Sequence, residues 1–178
     1  MGFNPATSGP TLQKEPNRPE STKSEPNKSE SNKLSLALSC LCQGRNAEAF
    51  LILSGPDLEK EPAAQFALGL CYRRADDLPK AVSCFEQALR HLKINFAPTG
   101  ESQAADETYL RLAVKQIEAK AYLEPMDADF CAFFPKMAKQ TILLALIDTY
   151  KEHGMTEQAQ KLAAGLVGAE FTAFRNTL

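Results

Sequence analysis

The chain has 178 residues, 20 Lys and Arg against 22 Asp and Glu, a formal net charge of −2, and 44% hydrophobic residues without a tryptophan. This length suits one domain of ordinary size. The near-neutral charge argues against nucleic acid, whose binders carry a basic footprint, and no unbroken apolar run is long enough to span a bilayer.

Residues 4–33 read NPATSGPTLQKEPNRPESTKSEPNKSESNK. Proline, serine and balanced Lys and Glu dominate, and no aromatic occurs. Such a stretch cannot bury enough apolar surface to offset the entropy of ordering. Residues 1–31 are therefore expected to be a disordered tail and residues 32–178 the folded domain. Neither a secretory core nor an Arg-rich transit pattern is present, so a cytoplasmic location is expected.

The first helix pair is expected from Leu36, Ala37 and Cys40, a turn at Gly44-Arg45-Asn46, then Ala49 and Leu53. About 32 residues on, the same offsets recur in QFALGLCYRRADDLPKAVSCFEQA, residues 65–88. Here Leu68, Gly69 and Tyr72 sit in one helix, and Ala81, Phe85 and Ala88 in the next. Small residues let two antiparallel helices approach, and the large ones fill the space between them. Near the C-terminus Leu143, Leu146, Ile147 and Tyr150, the turn His153-Gly154, then Ala159, Ala163 and Leu166 repeat the pattern.

The 65–88 segment resembles the tetratricopeptide repeat, whose Leu-Gly, Tyr, Ala, Phe pattern has a period of about 34 residues. Gln65 stands where that pattern has tryptophan, and Lys93 where it closes on proline; Ala37 and Ile147 replace the glycine in the flanking copies. The resemblance implies an all-α, right-handed array of antiparallel helix pairs, with three recognisable repeats and one degenerate unit. One repeat cannot bury its apolar face alone, so stacking on neighbours is required.

Between the second and third copies the array becomes irregular. Asn95 to Gly100 reads as a loop. A long helix is expected over Ala105–Glu124, ended by Pro125, whose ring has no amide proton and clashes with the preceding turn. Phe130, Phe133 and Phe134 follow before Pro135 and are expected in the core. The stretch is either a degenerate repeat or a helical insertion lying across the array. The C-terminal Glu170-Phe171-Thr172-Ala173-Phe174 reads as a closing cap.

Five cysteines, Cys40, Cys42, Cys71, Cys84 and Cys131, lack metal-ligand spacing, since helical residues two apart point to opposite sides. They read as reduced, small hydrophobes. His91 and His153 lie at expected helix ends, where a positive group suits the free carbonyls. No nucleophile elbow, phosphate loop or paired-acid frame occurs, so neither an enzyme, a cofactor nor a metal is expected.

In the resembled family the first helix of each pair lines a concave groove that holds a partner protein. Those helices are expected at Asn32–Gln43, Pro62–Arg74, Ala105–Glu124 and Lys136–His153. The resemblance places Phe66, Leu70, Arg73 and Arg74 at the groove centre, with Leu38 and Lys151 towards its ends. Matching positions are Leu34, Leu38, Leu41 and Cys42 in the first copy, and Leu144, Asp148, Lys151 and Glu152 in the last. The arginines, near a helix end, are expected to be solvated. The groove either takes a peptide or partner subunit, or is filled by residues 105–124 or the C-terminal segment. Two functions follow from the resemblance: an interaction scaffold or adaptor, or a small chaperone that shields an apolar segment of a client.

Overall fold

The backbone makes one and the same turn three times. In the computed structural model, which describes residues 1–2, 28–94 and 107–176, Gly44, Asp76 and Gly154 take left-handed φ values of 76°, 61° and 77°. After each, an amide reaches back five residues: Arg45 to the Cys40 carbonyl at 2.8 Å, Asp77 to Tyr72 at 2.9 Å, Met155 to Tyr150 at 2.8 Å. This closes one helix with its terminal carbonyls satisfied and aims the chain into the next. Glycine enters that region without a Cβ penalty, and aspartate is among the few other residues that tolerate it.

The turns join α1 (Lys28–Cys42) to α2 (Asn46–Leu53), α3 (Pro62–Arg74) to α4 (Leu78–His91), and α7 (Pro135–Glu152) to α8 (Thr156–Ala163). Each joined pair packs together; α2 also packs on α3, and α4 on α7. Among the described residues there is no strand, and the whole is an all-helical array of adjacent pairs. Pro62 and Pro135 open α3 and α7, at the first position, where a missing amide proton costs nothing.

Side-chain volume is traded across the pairs. A Cβ added at Gly69 would lie 2.5 Å from Phe85 Cε1, so the glycine is what admits the ring. The corresponding positions are Ala37 with Leu53 in the first pair and Ile147 with Ala163 in the third, all buried. A bulky residue thus stands opposite a small one, on the second helix in two pairs and on the first in the third. Ala49, Ala81 and Ala159 follow the three turns and are all fully buried. Leu68 and Tyr72 are half-buried against the core, and Ala88 is fully buried.

Among the described residues between α4 and α7 no further pair of this kind is seen. Helix α5 (Glu107–Glu118) packs on the 3₁₀ turns 121–123 and 169–171 and on α9 (Thr172–Arg175); α6 (Ala128–Phe133) touches both α3 and α7. The described part of this stretch lies against the array through α6 and the turn 121–123, and the C-terminal segment closes on α5. Helix α5 also stops earlier than Pro125. Lys120 adopts φ 54°, and its amide bonds the Ile117 carbonyl at 3.0 Å, so a left-handed residue ends the helix before the proline is reached.

Two further expectations change. Helix α1 starts at Lys28, not Asn32. Phe130 is half-buried, but Phe133 and Phe134 are 74% and 54% exposed. Helix α6 is six residues long, capped by Asp127 Oδ1 accepting from the Phe130 amide at 2.6 Å. So short a helix turns only one side inward, and Cys131 takes it. The expected disorder of the tail and the loop at Asn95–Gly100 fall on residues outside those described, save for the ends at 1–2 and 28–31.

Candidate partner-binding face

The three first helices present matching rows. Leu34, Phe66 and Leu144 make one, and all are buried. Leu38, Leu70 and Asp148 make the next, half-buried in the first and buried in the others. The turn geometry sets this equivalence, because each row lies at a fixed distance before its left-handed residue.

Asp148 is the anomaly, a carboxylate where the other copies carry leucine. Arg73 Nη2 donates to its Oδ2 at 2.9 Å, and both side chains are only about a tenth exposed. Arg73 also forks onto Glu152, with Nε to Oε2 at 3.1 Å and Nη2 to Oε1. Lys120 Nζ completes the cluster, 3.0 Å from the same Asp148 Oδ2. Two cations and two anions balance, which is how a largely buried charge is tolerated. The expectation that Arg73 is solvated is therefore corrected: the acids that hold it lie on α7, far away in sequence. Arg74 is exposed, yet its Nη1 donates to the Leu41 carbonyl at 3.2 Å and to Asn46 Oδ1 at 2.7 Å, tying the first pair to the second.

Phe66 is also corrected. The resemblance puts it at the centre of the groove, but it is fully buried, with its ring centroid 5.4 Å from that of Phe85. The close approach permitted by Gly69 draws both rings into the contact within the pair. Leu70, Arg73 and Arg74 do come together, around a hollow of about 330 Å³ that they share with Leu123 and Glu152. Leu38 is half-buried and Lys151 exposed; neither lines that hollow.

The face of α3 and α7 already holds a piece of the chain itself. After Lys120 the 3₁₀ turn 121–123 gives way to extended backbone at Glu124, φ −86° and ψ 145°, and at Asp127, φ −89° and ψ 172°. Tyr122, Met126 and Cys131 of this piece are buried. It begins beside Arg73 and Asp148, at the C-terminal ends of α3 and α7, and reaches α6 near Glu61, which precedes α3. Tyr122 meets Phe174 edge to face, centroids 6.1 Å apart. Burial and the adjacent Asp148 carboxylate hold its hydroxyl protonated, above the usual range. Under α5, a second cavity of about 290 Å³ is bounded by Ile117, Tyr122, Phe130, Met137, Leu144 and Phe171. Of the two segments expected as possible fillers, the one before Pro125 packs on α7 through the turn 121–123, and the C-terminal one packs on α5.

Sequence reasoning missed Lys120 and Tyr122, and it put Asp148 among the groove positions without its pairing to Arg73. The signal present was Asp148 itself, a charge in a row of leucines. Gln65, at the tryptophan position of the pattern, is buried and its Nε2 donates to the Glu59 carbonyl at 2.9 Å. No helix among the described residues is long and apolar enough to cross a membrane.

Residues 62–93, α3 and α4 with the two residues that follow, match the family model described as Tetratricopeptide repeat. Comparison with curated proteins and with solved structures gave no match. The repeat is typically a non-catalytic module through which proteins bind one another.

Proposed function

The chain carries a tetratricopeptide repeat within a helical array, and from that premise we propose that it is an interaction scaffold or adaptor holding an extended segment of a partner protein along the α3–α7 face. The observation behind this reading is that the face carries a segment of chain extended at Glu124 and Asp127, since residues 120–131 lie on it with Tyr122, Met126 and Cys131 buried. Leu70, Arg73 and Arg74 around their hollow offer apolar contact beside cationic donors, a combination suited to backbone carbonyls and carboxylates. Leu38 and Lys151 extend the surface at either end. A cytoplasmic setting fits five unpaired cysteines, because thiols stay reduced there.

A chaperone that shields an apolar client segment is the second reading. It is favoured by the exposed Phe133, Phe134 and Met137, contiguous at the junction of α6 and α7; a patch of that kind marks a contact surface. Photo-crosslinking separates the two. A benzophenone side chain at Arg74 is expected to capture one stoichiometric protein in cells of the source, and at Phe133 to capture little. Adducts mainly from Phe133, to an otherwise unstable client, would favour the chaperone. Adducts from neither position would remove both readings.

A further inference from the structure

The segment on the α3–α7 face is built differently from the array beneath it. Its regular structure is one 3₁₀ turn, held by the Leu123 amide to the Lys120 carbonyl at 2.9 Å and Glu124 to Ala121 at 3.1 Å, followed by the opening residues of the short helix α6. Hollows of about 330 and 290 Å³ flank it, whereas the pair beneath is close enough for Gly69 to be required. One of its polar anchors is Lys120, whose side chain is 53% exposed. The Asp148 carboxylate that receives this lysine is already paired with Arg73. Removing Lys120 therefore leaves the buried acid compensated, and releasing the segment does not strand a buried charge.

We propose that residues 120–131 are an internal ligand of the α3–α7 face, and that its external ligand is a protein segment of the same chemistry: a cation for Asp148, a tyrosine two residues on, then a methionine-like side chain four residues further. This rests on the scaffold reading above and names both the ligand class and the competitor. The ligand's lysine or arginine takes the place of Lys120 on Asp148. Its aromatic ring fills the Tyr122 position against Phe174, and its flexible apolar side chain the position of Met126. The two segments exclude one another, so external binding is weakened by the fraction of molecules in which the internal one is seated.

The test uses the full-length chain and a fluorescein-labelled peptide comprising residues 119–133 with Cys131 replaced by serine. Fluorescence anisotropy is measured for the wild type, Lys120→Ala and Tyr122→Ala, with a scrambled peptide as control. Expected are weak binding by the wild type, binding at least threefold tighter by Lys120→Ala, and at least tenfold tighter by Tyr122→Ala. Lys120 is exposed, so its variant carries the comparison if Tyr122→Ala loses helicity. With peptide saturating, the Leu123 and Glu124 amides are expected to exchange faster while α3 stays protected. Equal affinity for all three chains, binding no better than the scrambled control, or binding with unchanged exchange at Leu123 and Glu124 overturns the proposal. Those results leave the scaffold reading standing or falling on the Arg74 crosslink.

Discussion

Arg73 on α3 and Asp148 on α7 meet at 2.9 Å, a direct bond between the second and third helix pairs that also carries Lys120 of the inserted segment. The first consequence concerns stability. Arg73→Met strands Asp148 with only the exposed Lys120, so a loss approaching the roughly 3–5 kcal/mol of a broken buried pair is expected. Asp148→Leu restores the residue type of the other two copies. The double variant is expected to lose less than the sum of the single ones, measured by urea denaturation. Strict additivity would show that the two groups do not interact.

Gly69→Leu is expected to destabilise the chain by roughly 1–3 kcal/mol, the range for overpacking a filled core. Phe85 Cε1 lies where the first added carbon must go. An unchanged melting temperature would remove Gly69 from the interface.

Phe66→Ala is expected to cost roughly 3–5 kcal/mol, as for other buried phenylalanines, and to leave partner binding by the remaining folded molecules intact. The side chain is fully enclosed against Phe85 and offers a partner no surface. A variant of normal stability with lost binding would return Phe66 to the binding face.

The helix pairs were legible in the sequence because their signal is local. Ala81, Phe85 and Ala88 follow Gly69 at offsets that one helical hairpin enforces, and the turns at Gly44 and Gly154 mark themselves by composition. Asp76 could be placed in a turn, but its left-handed backbone follows only from its equivalence to those glycines. The face was less legible, because its contacts join residues far apart in the chain. Nothing around Arg73 announces Asp148, 75 positions on, and helical spacing alone cannot say whether Phe66 faces a groove or its own partner helix. Pro125 drew attention as a helix stop, while the residue that ends α5, Lys120, has a left-handed conformation that its identity does not reveal.

Stability should fall in mildly caustic solution. The Tyr150 hydroxyl donates to Glu86 Oε1 at 2.8 Å, and burial first, then that carboxylate, raise its pKa from 10.0 to about 12. The phenol therefore keeps its proton longer in the folded chain than in the unfolded one. The unfolded state releases protons first, so its contribution is fully present below pH 10 and is lost as pH rises through about 12. Denaturation midpoints measured from pH 9 to 12 are expected to drop above pH 10, and less so in Tyr150→Phe. The same slope in both chains would mean that Tyr150 is not the source.

Seating of the 120–131 segment on the α3–α7 face is tested most directly by nuclear Overhauser contacts in the free, intact chain. The rings of Tyr122 and Phe174 stand 6.1 Å apart, edge to face, close enough for cross-peaks between their ring protons. Those cross-peaks, with Tyr122 shifts well away from random-coil values, are the predicted result. Random-coil shifts at Tyr122 and no cross-peak to Phe174 would mean that the face is open in solution, and would contradict the account.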